Sequence, residues 1–145
     1  MLRLRRELLE ETFEHLRACG AGRRECVAYW LGPRSQDGEV SEIVHPGHSA
    51  TATSYDVDGS WLNELWVRLA RQELELRAQV HTHPGSAFHS SRDNHMAAIQ
   101  TAGFASLVIP RFALGDVSLE GVHLERRGSD GGWQAANASD AIEVT

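Results

Sequence analysis

The chain has 145 residues, of which 41% are hydrophobic, and its formal net charge is −6. This length predicts a single domain over residues 1–145 that can bury its own core. The acidic balance argues against nucleic-acid binding by phosphate neutralisation and against an anionic membrane surface. No apolar run approaches the length of a transmembrane helix, so we expect a cytoplasmic protein with no nucleic-acid or membrane partner.

The cysteine content and the first residues also bear on the compartment. Cys19 and Cys26 are the only cysteines, too few for a disulfide framework, and we expect two reduced thiols. The Arg-rich start at residues 2–6 is followed by glutamates at 7, 10 and 11 rather than by an apolar run. It therefore predicts a helix and not a signal peptide.

Hydrophobic periodicity predicts the elements of the first half. Apolar residues at helical spacing predict a helix over residues 6–19, which Gly20 ends. Residues 25–32 contain six consecutive apolar or aromatic residues and predict a strand that is buried on both faces. Residues 39–45 and 49–57 predict two further strands, joined by a tight Pro-Gly connection.

The second half continues the alternation of helices and strands. Asp58 or Ser60 is expected to cap a helix whose tryptophans belong to the core. From Leu74 the apolar period changes to two, which predicts a strand with His81 and His83 on one face. Further elements are predicted in chain order: a helix at 91–101, a strand at 104–109, a strand at 117–126 and a short run at Trp133. Such interleaving favours an α/β fold around one mixed sheet.

The segment from His81 to Asp93 has the highest density of chemically active residues. His81 and His83 stand two apart on extended backbone, so both imidazoles point the same way and can reach one ion. Pro84 ends the strand, and Asp93 offers a carboxylate from the start of the next predicted helix. Two histidines and one carboxylate leave a fourth zinc position for water, as in catalytic sites. Taken singly, the same residues also fit a surface histidine pair and a helix cap formed by Ser90 and Asp93.

This segment resembles the metal motif of the JAMM family, also called MPN+ or JAB1/Mov34/Pad1 metalloproteases: His-x-His-Pro, a short loop, then Ser-x-x-Asp. Six residues separate His83 from Ser90 here, whereas better-known members have seven. The family also carries a glutamate near the start of an early strand, followed by a hydrophobic run that ends in glycine. The run from Glu25 to Gly32 matches that pattern, and the order of elements resembles the family from about residue 8 to residue 133.

The resemblance implies an α/β single MPN (JAB) domain with a cytidine-deaminase-like mixed β-sheet flanked by helices. The core is expected at about residues 8–134, followed by a C-terminal tail at 135–145. One Zn²⁺ per chain is expected, with three ligands: His81, His83 and Asp93. The resemblance further implies that Glu25 acts as the general base and that Ser90 donates a hydrogen bond to the tetrahedral oxyanion. The implied reaction is hydrolysis of a peptide or isopeptide bond at the C-terminal tail of a ubiquitin-like or sulfur-carrier protein.

Three alternatives remain open at this point. The first is a non-catalytic MPN scaffold that retains a zinc site, and the second is a DNA-associated JAB-type protein, which the acidic balance disfavours. The third, a zinc deaminase, needs a Pro-Cys-x-x-Cys ligand pair that the sequence lacks. Among other histidines, His89 is expected at the surface, and His95 cannot readily share an ion with Asp93 on a helix. His45 and His48 are interpreted as turn residues at the rim of a substrate groove.

Overall fold

The elements of this protein follow the predicted alternation of helices and strands. The computed structural model describes residues 1–88 and 102–145. The predicted helix at 91–101 lies outside the described residues, as do Ser90, Asp93, His89 and His95. The elements in chain order are β1 (Leu2–Leu4), α1 (Arg6–Gly20), β2 (Val27–Pro33), β3 (Glu39–Val40), β4 (Glu42–Val44), β5 (His48–Ala50), β6 (Tyr55–Val57), α2 (Gly59–Gln72), β7 (Leu74–Thr82), β8 (Ala105–Ile109), a 3₁₀ turn (Arg111–Ala113), β9 (His123–Arg127), β10 (Trp133–Asn137), α3 (Ala138–Ala141) and β11 (Ile142–Val144).

Within residues 1–88 and 102–145, the largest sheet has six strands in the order β10-β9-β8-β7-β2-β4. β7 runs parallel to β8 and antiparallel to β2, so the sheet is mixed as predicted. The register of β2 and β7 places Val27 opposite His81. This pairing brings the start of β2 to the end of β7, where the predicted ligands His81 and His83 lie.

Strand β2 separates two hydrophobic clusters because its side chains alternate between the two faces of the sheet. Ala28 and Trp30 belong to the cluster that includes α1, and Val27 and Tyr29 belong to the cluster that includes α2. The indole nitrogen of the fully buried Trp30 donates to Thr12 Oγ1 at 2.9 Å. A strand that is covered on both faces has a continuous apolar sequence. The prediction of a strand buried on both faces within residues 25–32 is therefore confirmed.

Two predicted strands are shorter in the structure because turns interrupt them. The segment predicted as one strand at 49–57 is a hairpin of β5 and β6, in which Thr51 N donates to Ser54 O at 2.8 Å. The strand predicted at 117–126 begins only at His123. A turn precedes it, with Val122 N donating to Leu119 O and with Gly121 at φ 76°.

The chain ends also differ from the predicted core boundaries. β1 pairs in parallel with β11, although residues before 8 and after 134 were placed outside the core. Ile142 is buried within the α1 cluster. This pairing is long-range in sequence, and no local pattern in so short a segment predicts it. Within the described parts of the chain, no helix combines the length and the apolar character needed to cross a membrane.

The prediction of two reduced thiols is wrong, since the structure joins Cys19 and Cys26 in a disulfide. α1 ends at Gly20, and the next two residues take left-handed conformations, with φ 52° at Ala21 and 68° at Gly22. This sharp reversal brings the Cα atoms of the two cysteines to 6.0 Å, within the range that a disulfide requires.

Candidate metal centre

The two predicted histidine ligands meet at the end of β7. His81 is the penultimate residue of that strand, and His83 follows it directly. Their ring centroids lie 5.3 Å apart, because residues two apart on extended backbone project from the same face. His81 is fully buried and His83 is 5% exposed. The interpretation of this pair as a surface accident is therefore excluded.

The predicted base lies against the histidine pair. Glu25 precedes β2 by two residues and is only 3% exposed. Its Oε1 lies 3.8 Å from His83 Nε2, and its amide N donates to Thr51 O at 2.8 Å. Because a buried carboxylate is costly unless it is paired or coordinates a metal, this position favours a functional role over a solvated strand end.

Backbone and side-chain hydrogen bonds hold the ends of the two strands together. Thr82, between the two histidines, accepts a hydrogen bond from Cys26 N through Oγ1 at 2.9 Å. The amide N of Thr82 donates to Cys26 O at 3.1 Å, which extends the ladder beyond the strand. The amide N of His83 donates to Ile109 O at 3.0 Å. These contacts fix the histidines and the segment that carries Glu25 in one rigid unit.

The chain beyond His83 is supported by an unusual turn. Phe112 N donates to His83 O, and Arg111 N donates to Gly85 O, both at 2.9 Å. Arg111, Phe112 and Ala113 all have positive φ, at 53°, 53° and 61°. A left-handed residue other than glycine costs on the order of 1–2 kcal/mol, and such strain concentrates at functional sites.

Aromatic side chains contact the histidine pair on two sides. The Tyr55 ring lies 5.3 Å from that of His81, and the Phe88 ring lies 4.7 Å from that of His83. Tyr55 is buried, whereas Phe88 is 54% exposed. Sequence reasoning missed both residues, because an aromatic residue in a hairpin or a loop carries no periodic signal of its own.

The donor set at this centre fits zinc. Imidazole nitrogen is an ordinary zinc ligand, and the two imidazoles lie side by side with the Glu25 carboxylate next to them. The structure thus brings together His81, His83 and Glu25. The remaining predicted residues, Asp93 and Ser90, lie outside the described part of the chain, and their assignment stays a prediction.

The structure also brings together a second group of side chains that can bind a metal ion. It consists of Cys19, Cys26, His45 and His48, and we call it the Cys–His cluster. The histidines were interpreted as turn residues at a groove rim, but their rings contact the cysteine sulfurs. Partial desolvation lowers the pKa of His45 below its usual range, and the neighbouring His48 and His15 lower it further.

Sequence comparison relates this chain to a known family. Residues 5–119 match the family of prokaryotic homologs of the JAB domain. A relative from Sinorhizobium fredii, named "Probable metalloprotease y4jG", is 36% identical over 115 residues, which cover 76% of this chain and 71% of the relative.

Two solved structures share the fold. A protein from Desulfitobacterium hafniense, solved in solution, has a TM-score of 0.69 at 15% identity, covering 100% of this chain and 93% of that one. A JAB1/MPN domain protein from Archaeoglobus fulgidus has a TM-score of 0.57 at 12% identity, covering 99% of this chain and 97% of that one. At these identities the likeness shows the fold alone, and the predicted MPN-type α/β fold is confirmed.

Proposed function

Because this chain belongs to the family of prokaryotic homologs of the JAB domain, we propose that it is a zinc-dependent metallopeptidase. The observation that carries the proposal is the contact between the buried Glu25 and the histidine pair, with Glu25 Oε1 3.8 Å from His83 Nε2. A carboxylate in that position can reach a water molecule next to a metal held by the histidines. The relative's name, a metalloprotease, supports the same activity class.

Each residue of the proposed centre has one role. His81, His83 and Asp93 would hold zinc, and the bound ion would supply Lewis-acid chemistry that makes water nucleophilic near neutral pH. Glu25 accepts the proton of the attacking water and passes it to the leaving amine, as a general base and then a general acid. Ser90 donates its hydroxyl hydrogen to the developing oxyanion. No covalent link between substrate and protein is required.

For the substrate we propose the C-terminal tail of a ubiquitin-like or sulfur-carrier protein, on the basis of the family resemblance. One feature of the described structure supports an extended tail. Among the described residues, β4 is an edge strand of the six-stranded sheet, so its outer edge offers backbone groups to an added strand. β4 runs antiparallel to β2, with Val44 opposite Tyr29 and Glu42 opposite Leu31. A tail paired along β4 would therefore extend toward the end of β2 that carries Glu25.

The proposal is tested with a sulfur-carrier protein fused through its C-terminal glycines to a reporter. The purified chain is expected to contain zinc and to release the reporter. Glu25→Gln is expected to keep its zinc and lose about 10²–10⁴-fold in cleavage rate, because the base is not a ligand. A fusion whose terminal glycines are replaced by valines is the substrate control. Zinc content is measured by elemental analysis of the same samples.

The outcomes separate the enzyme from its main alternative. Zinc binding without cleavage of any member of a panel of tail fusions would overturn the peptidase assignment in favour of a zinc-bearing scaffold. Full cleavage activity in Glu25→Gln would remove this residue from the role of base. Cleavage of the valine-tailed control as fast as the glycine-tailed fusion would overturn the proposed tail specificity.

A further inference from the structure

The Cys–His cluster gathers four side chains from three separate segments. Cys19 lies near the end of α1, Cys26 precedes β2, His45 lies on the connection between β4 and β5, and His48 is the first residue of β5. One ligand atom from each residue lies within 4.8 Å of the corresponding atoms of all the others. Cys26 Sγ is 3.2 Å from His45 Nε2, and Cys19 Sγ is 3.3 Å from His48 Nε2. Each cysteine is thus matched with one imidazole nitrogen.

These distances correspond to the edges of a tetrahedral zinc site. Zn–S bonds of about 2.3 Å and Zn–N bonds of about 2.0–2.1 Å place a sulfur and a nitrogen ligand about 3.5 Å apart. Two cysteines and two histidines are also a donor set of structural zinc sites. A disulfide sulfur, by contrast, is only a weak hydrogen-bond acceptor, so a disulfide alone gives little reason for two imidazoles to converge on it.

Contacts to the two histidine rings orient them in the way that metal-ligating histidines are oriented. His48 Nδ1 lies 3.0 Å from Pro46 O, and since a carbonyl can only accept, Nδ1 must donate. In the neutral ring this leaves the Nε2 lone pair directed at Cys19, the outer-shell pattern typical of ligating histidines. The His45 ring stacks on His15, with centroids 5.8 Å apart and planes 15° apart. The connection is anchored to the start of α2, because Asp58 N donates to Gly47 O at 2.8 Å.

From these observations we propose that the Cys–His cluster is a second metal site, which binds zinc through two thiolates and two imidazoles once its disulfide is reduced. Cys26 is fully buried, Cys19 and His48 are half-buried, and His45 is exposed, so an ion can enter from the solvent side. This site is distinct from the proposed peptidase centre, since the two share no residue.

The change from the disulfide form of the cluster to the zinc-bound form begins with reduction by a dithiol. The reductant transfers two electrons and two protons to the Cys19–Cys26 disulfide, which yields two thiols and leaves the reductant as a disulfide. Zinc then displaces both thiol protons to solvent, because only the thiolate is a ligand. The sulfurs separate from bonding distance to about 3.8 Å, the edge length that two zinc-bound sulfurs require.

The two centres lie on opposite faces of the same strand end. Cys26 packs in the α1 cluster, whereas the preceding residue, Glu25, approaches His83 on the other face. Cys26 is bound through its backbone to Thr82, which lies between the histidines of the first centre. Zinc in the Cys–His cluster would therefore hold the segment that positions the proposed base, in place of the disulfide.

The test uses cobalt(II) as a spectroscopic probe on the full chain. The protein is stripped of metal, reduced with a dithiol, freed of reductant under anaerobic conditions and titrated with cobalt(II). A thiolate ligand produces sulfur-to-cobalt charge-transfer absorption in the near ultraviolet. The centre at His81 and His83 contains no thiolate, so the band reports the Cys–His cluster alone, with or without peptidase activity. Because the peptidase centre can also take up cobalt, we expect the band to saturate by two equivalents per chain and to disappear on addition of zinc, which binds more tightly than cobalt.

Variants give the ligand assignment. Cys19→Ser and Cys26→Ser are expected to lose or strongly weaken the band, and His45→Ala and His48→Ala are expected to weaken cobalt binding by about 100-fold or more, beyond the usual loss for an outer-shell partner. His15→Gln is the matched control: it removes the stacking ring but no ligand, and should retain the band. Circular dichroism of each variant checks that it is folded.

Three results would overturn the proposal. The first is reduced, folded protein with two free thiols by thiol titration but no charge-transfer band. The second is a disulfide that can be reduced only after unfolding. The third is retention of the full band and affinity in both histidine variants, which would show that the imidazoles are not ligands.

Discussion

Thr82→Val tests how the proposed peptidase centre is held together. Thr82 is fully buried, and its Oγ1 accepts the hydrogen bond of the buried Cys26 N at 2.9 Å. Valine keeps the shape of the side chain but cannot accept, so Cys26 N–H is left without this partner inside the protein. An unsatisfied buried donor costs about 1–3 kcal/mol. For a chain of this size the loss corresponds to a fall in Tm of roughly 3–10 °C.

The same substitution should affect catalysis without affecting the metal. Cys26 adjoins Glu25, so loosening its tie to Thr82 displaces the proposed base relative to His83. A misplacement of about 1 Å can cost on the order of 10²-fold in rate. We expect a lower turnover number and unchanged zinc content, because Thr82 is not a predicted ligand. The assays are thermal unfolding, hydrogen exchange at the Cys26 amide, cleavage of the tail fusion and elemental analysis.

Thr82→Ser is the control, since it keeps the acceptor oxygen and removes only a methyl group, at a cost of about 1 kcal/mol. Its Cys26 amide should remain as protected from exchange as in the natural protein. If Thr82→Val matched the natural protein in Tm and in exchange at Cys26, the hydrogen bond would not be holding the strand ends together. If it lowered Tm but left turnover intact, the link to the proposed base would be refuted.

Further predictions concern the first centre and the stability of the fold. His81→Ala and His83→Ala should each bind less zinc at the proposed peptidase centre than the natural protein does. Undiminished zinc at that centre would exclude His81 and His83 as ligands. Glu73 is exposed at the end of α2 and has a φ of 54°. Glu73→Gly should therefore raise the free energy of unfolding by about 1 kcal/mol, measured by chemical denaturation, whereas Glu73→Ala should not. Thr12→Val removes the acceptor of the Trp30 indole and should cost about 1–3 kcal/mol, followed by tryptophan fluorescence; equal stability would show that this buried bond contributes nothing.

The histidine pair at the proposed metal centre was predictable because its geometry is local. Residues two apart on a strand share a face whatever the rest of the chain does, so His81 and His83 could be matched from spacing alone. Glu25 was a weaker prediction, which depended on the family resemblance. Its burial and its 3.8 Å approach to His83 arise from the antiparallel pairing of β2 with β7, whose members are about 50 residues apart in the sequence.

Other features were not predictable because turn geometry decides them. A continuous strand-like composition at 49–57 conceals the turn at Thr51 and Ser54 that makes a hairpin. The pairing of β1 with β11 joins the two ends of the chain through segments of three residues, too short for any periodic signal. The positive φ values of the turn that supports His83 likewise occur at residues other than glycine, where sequence gives no warning.

The alternation of elements, the mixed α/β class and the histidine pair follow from the amino-acid sequence alone, because each depends on residues close together in the chain. The meeting of Cys19 with Cys26, and the convergence of His45 and His48 on them, arise from the packing of the folded chain. A left-handed reversal after α1 brings the two cysteines together, and the histidines lie about 20 residues further along the chain. Side chains from separate segments form a cluster only when packing of helix, strand and connection brings them together, and spacing along the chain does not encode that packing.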